Sequence, residues 1–261
     1  MIVLKRFTLK QPKIIGGIEF GSDHVVLAAP ITHLEKVNDI QSLVNLAKEN
    51  KIDMFEIRYD YLINDGVPLD DLLSSLNKIR YPYIFTFRSY KEGGMYNVSD
   101  MDRLKIIENA IDYKPTIIDL ELYLFYDEAT KDYVRNIMKK CKDNGIHIII
   151  SYHNFNETPD YSTLYNIGEK EKQNGADILK IATKAMTLRD NITVLLVTYD
   201  LRMRLEMPMI TMAMGDLGKV SRILTPLFGS DLIFVNLIGE SAPGQIAPSL
   251  VLRGLEFFGE L

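Results

Sequence analysis

The chain has 261 residues, with 30 Lys and Arg against 35 Asp and Glu, a formal net charge of −5. That balance gives no electrostatic footprint for a nucleic-acid partner. With 47% hydrophobic and 25% charged residues it can bury a full core, which excludes a disordered chain, a collagen-like repeat and a small stapled scaffold.

Cys141 is the single cysteine and cannot close an intramolecular disulfide, which fits a reducing compartment. Its neighbours Lys139, Lys140 and Lys142 suggest a solvated helix end. Residues 1–10 hold Lys5, Arg6 and Lys10 among too few apolar residues for a signal-peptide core, and no apolar run approaches the ~20 residues that span a bilayer. The expectation is a soluble, cytoplasmic protein with no membrane partner.

In chain order, residues 1–24 carry Gly16, Gly17 and Gly21 around residues 18–20 and predict a hairpin covering the bottom of a larger fold. From residue 25, β-branched apolar runs alternate eight times with segments that can hold helices. The predicted strands cover 25–31, 54–59, 84–88, 116–122, 146–153, 176–183, 208–214 and 232–238. Leu104, Ile107, Ala110 and Ile111 mark one stripe of a helix over 102–113, and a helix over 128–141 begins after Asp127 and stops before Gly145. Pro226 predicts a kink or break in the helix after the seventh strand. Strands apolar on both faces belong to a parallel sheet covered by helices, and eight units in about 235 residues favour a closed (β/α)8 TIM barrel. The open doubly wound alternative lacks its G-x-G-x-x-G turn, since Ala28 to Thr32 stand after the first strand. No linker or low-complexity tract divides residues 1–261, which read as one domain.

In such a barrel, chemistry sits at the carboxyl ends of the strands. Glu56 and Arg58 are two apart on the second strand and share a face, as do Asp119 and Glu121 on the fourth; Arg88 ends the third and His153 the fifth. Asp119 and Glu121 read as more structural than catalytic, and His24, His33 and His147 as structural histidines. Lys180 lies inside the sixth strand, where burial penalises its cationic form and favours a neutral nucleophile able to condense with a ketone. His153 on the neighbouring strand suits a general acid and base with an unperturbed pKa; a lysine capping the barrel through a salt bridge to Glu121 is the bland alternative. His147 and His153 are about 20 Å apart along a strand, too far to share a metal. After strands seven and eight, Arg222 with Ser241 and Gln245 could clamp a carboxylate or a phosphate.

Taken together, Phe55-Glu-Ile-Arg58, Phe85-Thr-Phe-Arg-Ser89 with Lys91-Glu-Gly-Gly94, Ser151-Tyr-His-Asn-Phe155, Ala176-Asp-Ile-Leu-Lys-Ile181, residues 212–222 and Ser241-Ala-Pro-Gly-Gln-Ile246 resemble the type I 3-dehydroquinate dehydratases, in order along the chain. The resemblance implies a (β/α)8 barrel, usually a homodimer, that converts 3-dehydroquinate to 3-dehydroshikimate and water in the shikimate pathway. It implies Lys180 as the imine-forming lysine, His153 as acid and base, and Glu92 as the carboxylate that orients His153. It places Arg222, Ser241 and Gln245 at the substrate carboxylate, and Glu56, Arg58 and Arg88 around the ring hydroxyls and carbonyl. The chemistry needs no metal or diffusible cofactor. Two departures stand out: Ala28, Ala29 and Pro30 where a serine is common, so that no contact is assigned there, and Asp216 where lysine is frequent. A class I aldolase acting on a sugar phosphate would share the lysine, and a catalytically silent barrel would share the anion clamp. Gly93 and Gly94 suggest a lid over residues 91–100.

Overall fold

The computed structural model describes residues 6–34, 39–239 and 241–259. Two short strands, β1 (Lys13–Ile15) and β2 (Ile18–Phe20), pair antiparallel. Gly16 and Gly17 join them at φ +59° and +81°, left-handed values that side chains disfavour. Eight parallel strands follow: β3 (Val26–Ile31), β4 (Met54–Arg58), β5 (Tyr83–Thr86), β6 (Ile117–Glu121), β7 (His147–Asn154), β8 (Ile178–Lys184), β9 (Met209–Met214) and β10 (Leu232–Phe234). Their sheet order is β10-β3-β4-β5-β6-β7-β8-β9, the parallel wheel expected of a (β/α)8 barrel.

Closure between β9 and β10 combines one main-chain hydrogen bond with two to side chains. The Asp231 N–H donates to Met209 O at 2.7 Å, the Met209 N–H to Asp231 Oδ2 at 2.9 Å, and the Thr211 N–H to Ser230 Oγ at 3.0 Å. Arg6 and Arg202 both pair with Asp231 from outside, so the buried carboxylate keeps compensating charge.

The outer layer holds α1 (Ile40–Glu49), the short α2 (Tyr59–Leu62), α3 (Leu69–Ile79), α4 (Asp100–Ala110), α5 (Lys131–Asp143), α6 (Tyr161–Gln173), α7 (Leu188–Leu205), α8 (Lys219–Phe228) and α9 (Pro248–Gly259). Ser99 caps α4 by accepting the Asp102 N–H, and residues 111–113 leave it as a 3-10 turn. Helix α5 starts at Lys131, later than predicted, because Asp127 O takes the Thr130 and Lys131 N–H groups in a preceding turn. Pro226 causes no break ahead of itself: α8 runs through it and stops at Gly229, φ +120°, so the missing N–H falls in the last turn. Strand β5 stops at Thr86, leaving Arg88 beyond it, and β10 stops at Phe234, where Val235 bridges to Ile246 instead. Cys141 departs from the solvated expectation. Its lysine neighbours are exposed, but the thiol is fully buried, and burial, then the charge of Asp177, pushes it up to about 12.

Inside the barrel, one apolar residue from each strand makes a plug: Val26, Met54, Ile84, Ile117, Ile149, Ile178, Ile210 and Leu232. Ile15 and Phe20 of the hairpin join this cluster, so the hairpin covers the bottom as expected, although residues 1–5 of that extension lie outside the described residues.

Candidate active site

Side chains two residues apart share a face of a strand. Two and four residues past the apolar plug come Glu56 and Arg58 on β4, Thr86 on β5 with Arg88 just beyond, Asp119 and Glu121 on β6, Ser151 and His153 on β7, and Lys180 on β8. All of these but the partly exposed His153 are buried.

Lys180 Nζ lies 2.9 Å from Asp119 Oδ2 and 3.2 Å from Glu56 Oε1, and 4.6 Å from the centroid of the Phe234 ring. The surroundings are therefore not the bare apolar pocket the strand pattern suggests: two carboxylates face the amine. Arg88 meets Asp119 Oδ2 at 2.8 Å and Glu121 Oε1 at 3.1 Å and donates to Ser151 Oγ at 2.9 Å, while Ser151 Oγ donates to Asp119 Oδ1 at 2.6 Å. Thr86 Oγ1 donates to Glu56 Oε1 at 3.1 Å. The alternative bridge from Lys180 to Glu121 is not made, because Glu121 is taken by Arg88, by Arg103 at 2.9 Å and by the Ser89 N–H at 2.8 Å. Burial pushes Asp119 up, but the charges of Arg88 and Lys180 outweigh it and hold the carboxyl well below the usual range.

His153 Nδ1 lies 2.8 Å from Glu92 Oε2, and the His153 main-chain N–H donates to the same oxygen at 3.0 Å. With Nδ1–H donating to this oxygen, Nε2 is the nitrogen left to act as base. Burial lowers the His153 pKa well below its ordinary value, and the cations Arg88 and Lys180 add to the fall against the pull of Asp119. The unperturbed histidine expected from sequence is thereby corrected. Burial pushes Glu92 up, and Glu121 adds to the rise.

Glu92 closes a 3-10 turn, Tyr90–Glu92, that begins at Ser89 and ends at Gly93, φ +82°. A Cβ on Gly93 would meet the Phe155 ring at 2.4 Å, and one on Gly94 the Arg88 carbonyl oxygen at 2.1 Å. Close packing is thus reason enough for both glycines. Lys91 pairs with Asp100 at 2.9 Å, and the Met95 N–H donates to Asp60 Oδ2 at 3.0 Å.

The third group comes from the loops after β9 and β10, which pack together: a Cβ on Gly244 would lie 2.5 Å from Gly215 O. Gln245 donates to Ser241 Oγ and accepts the Ser241 N–H, both at 3.0 Å. Arg222, on α8, donates to Pro243 O at 3.1 Å. Arg58 grips Asp60 through Nε at 2.9 Å and Nη2 at 2.8 Å, and its Nη1 donates to Ser241 O at 3.2 Å.

Lys180, His153, Glu92, Glu56, Arg58, Arg88, Arg222, Ser241 and Gln245 all line one cavity that opens to solvent, with Phe155, Met212, Met214 and Phe234 among its apolar walls. Residues under-weighted from sequence are Asp119, the hub joining Arg88 to Lys180, and Asp60, which fixes Arg58; the two-residue offset from the apolar plug is the signal that finds Asp119. Ala28, Ala29 and Pro30 are packed within β3, and Asp216 is exposed and paired with Lys219 at 2.7 Å. His24 and His33 pair with Asp53 and Asp65. Among the described residues no cluster of His, Cys, Asp and Glu could hold a metal ion, and no helix is long and apolar enough to cross a membrane.

A parallel barrel that closes its bottom with apolar side chains and gathers a lysine, a histidine and several arginines at the carboxyl ends of its strands has the construction of a (β/α)8 barrel enzyme. The family model of type I 3-dehydroquinase matches residues 27–261, and the chain belongs to that family. It is 34% identical to a 3-dehydroquinate dehydratase of Lactiplantibacillus plantarum over 91% of this chain and 94% of the relative. It is also 34% identical to one of Pyrococcus abyssi over 85% and 95%. Among solved structures, 3-dehydroquinate dehydratase of Geobacillus kaustophilus superimposes with a TM-score of 0.85 at 26% identity, covering 97% of this chain and 98% of that one. The type I enzyme of Clostridium difficile, solved with covalently modified comenic acid, gives 0.81 at 26% identity, covering 96% and 98%.

Proposed function

We propose that this chain dehydrates 3-dehydroquinate to 3-dehydroshikimate, the shikimate-pathway step of its family, through an imine on Lys180. The observation that carries the reading is the position of Lys180 Nζ, buried in the cavity that His153, Glu92 and Arg222 also line. The covalent modification described for the Clostridium difficile relative is in keeping with a covalent step.

As substrate binds, Lys180 Nζ turns from Glu56 and Asp119 to the ring ketone, whose oxygen takes up the protons the nitrogen gives up and leaves with them as water. The amine adds to the ring ketone and one water leaves as the imine forms; its protonated nitrogen withdraws electrons from the adjacent carbon. His153 Nε2 then removes the α-proton, and the electron pair passes into an enamine. As that pair returns, the β-hydroxyl departs with the proton from His153 as the product water, and a second water hydrolyses the imine, so that one water is lost overall. Glu92 holds the imidazole in place. Arg222, Ser241 and Gln245 hold the substrate carboxylate, and Glu56, Arg58 and Arg88 border the ring oxygens. Borohydride added with 3-dehydroquinate should leave a reduced adduct on the peptide containing Lys180; an adduct elsewhere, or none, rejects the mechanism.

We also propose a homodimer built on α7 and α8. Leu188, Ile192, Leu196 and Met203 are 66%, 57%, 49% and 56% exposed along one stripe of α7. Leu217 and Val220 are exposed beside them, joined by the Asn191 side-chain N–H donating to Leu217 O at 3.0 Å. Helix α5, by contrast, exposes Asp132, Arg135, Lys139, Lys140 and Lys142. The stripe is apolar and uncharged along the helix, which suits pairing with its own copy. Wild-type protein should sediment as a dimer and Ile192→Glu as a monomer with unchanged circular dichroism; a monomeric wild type, or a dimeric variant, rejects this face.

A further inference from the structure

Helix α6 turns one stripe toward the barrel wall, formed by Leu164, Ile167, Gly168 and Glu171 at i, i+3, i+4 and i+7. The first three suit such a stripe. The fourth is a carboxylic acid with 0% exposure. Periodicity alone would place a leucine or methionine there, and a buried carboxyl is unfavourable unless its oxygens are engaged.

Glu171 Oε2 accepts the main-chain N–H of Lys180 at 3.2 Å, while Oε1 is buried without a hydrogen-bond partner among the described residues. Burial pushes this carboxyl well above the ordinary glutamate range, against the pull of the Lys180 N–H, and Glu92 and Asp119 add to the rise. The same arrangement recurs on the next strand, where Glu92 Oε2 accepts the main-chain N–H of His153 at 3.0 Å. Each of the two residues assigned to the chemistry is thus held at its backbone by a buried glutamate.

We infer that Glu171 is a positioning residue: by holding the main chain of Lys180 from the helical layer, it sets where Nζ enters the cavity. Lys180 has four rotatable side-chain bonds, and its partners Asp119 and Glu56 come from other strands, β6 and β4, so a small displacement of β8 moves the amine off line with a bound ketone. The inference rests on the reading of Lys180 as the imine-forming residue.

The test compares rates of borohydride-trapped adduct formation with 3-dehydroquinate in wild type, Glu171→Leu, Glu171→Met and Glu171→Gln. The apolar variants should fold and slow both trapping and kcat about five- to tenfold with KM within about twofold, while Gln, which keeps an acceptor oxygen, should stay within about twofold of wild type. Trapping at the wild-type rate in folded Leu or Met variants, or a Gln variant as slow as they are, overturns the inference. If neither apolar variant folds, Glu171→Ser, too short to reach the N–H, is read by the same criteria. A wild type that forms no adduct on Lys180 overturns the mechanism itself; a trapped wild type matched by its variants overturns only the role of Glu171.

Discussion

The lower half of the barrel interior is filled by eight apolar side chains, one per strand, sealed by Ile15 and Phe20, whereas two and four residues further along the same strands stand Glu56, Arg58, Asp119, Glu121, His153 and Lys180. Backbone, hydrogen-bond ladder and helical cover are shared between these halves. They differ in whether a side chain there needs a partner. The apolar half is interchangeable in kind, for any well-fitting hydrocarbon would serve. In the charged half each group is fixed by another: Asp119 by Arg88, Ser151 and Lys180, and Glu121 by Arg88 and Arg103. If stability resides in the first half and, as proposed, chemistry in the second, substitutions should separate them.

The largest separation should come from Lys180→Ala, which is expected to abolish trapping by borohydride and lower turnover by more than about a thousandfold while the protein stays folded. It leaves Asp119 bound to Arg88 and Ser151, so the charged half retains a scaffold. Residual turnover near wild type, measured by the absorbance of the conjugated enone product, would place the chemistry elsewhere in the cavity. Next comes His153→Ala, for which turnover should fall about 100- to 10,000-fold while slow formation of the adduct persists. A variant that forms no adduct at all would make His153 essential to the first step as well.

Ile149→Ala tests the other half. It deletes a fully buried side chain on β7, two residues before Ser151 and four before His153, and should cost about 2–5 kcal/mol of stability in denaturant titration. At temperatures where it remains folded, kcat should be within about threefold of wild type. A large loss of kcat with little loss of stability would mean that the plug sets the geometry of the site.

Much of this contrast is legible in the chain itself. Eight apolar runs, and the parity that puts Glu56 with Arg58 and Lys180 on an inward face, follow from a strand period of two. Less legible is who partners whom. Asp119 looks like one half of a structural pair with Glu121, yet beyond the Arg88 they share, Asp119 faces Lys180 and Glu121 faces Arg103, and that depends on the stagger of neighbouring strands, which no local pattern records. Glu92 sits in a 3-10 turn whose approach to His153 depends on Gly93 passing the Phe155 ring, a contact 62 residues apart in sequence. The shift of His153 was equally hidden, because it arises from burial and from cations on other strands.

That shift supplies the smallest and most specific effect. The acid limb of kcat/KM reports the free enzyme, and in the proposed mechanism Nε2 of His153 is unprotonated when it takes a proton from the substrate. An ordinary histidine would lose half its basic form near pH 6.5. Burial with Arg88 and Lys180 lowers the value in the folded protein, so the acid limb should lie below that point, with activity retained where a free imidazole would already be charged. The sign for stability is the same. Between the ordinary value and the lowered one, the unfolded chain binds a proton that folded His153 does not, so its contribution is fully present above about pH 6.5 and is lost as pH falls toward the folded value. His153→Gln should remove that dependence without charging the site. An acid limb at or above 6.5, unmoved by ionic strength, would mean that the cations on the neighbouring strands do not govern the histidine.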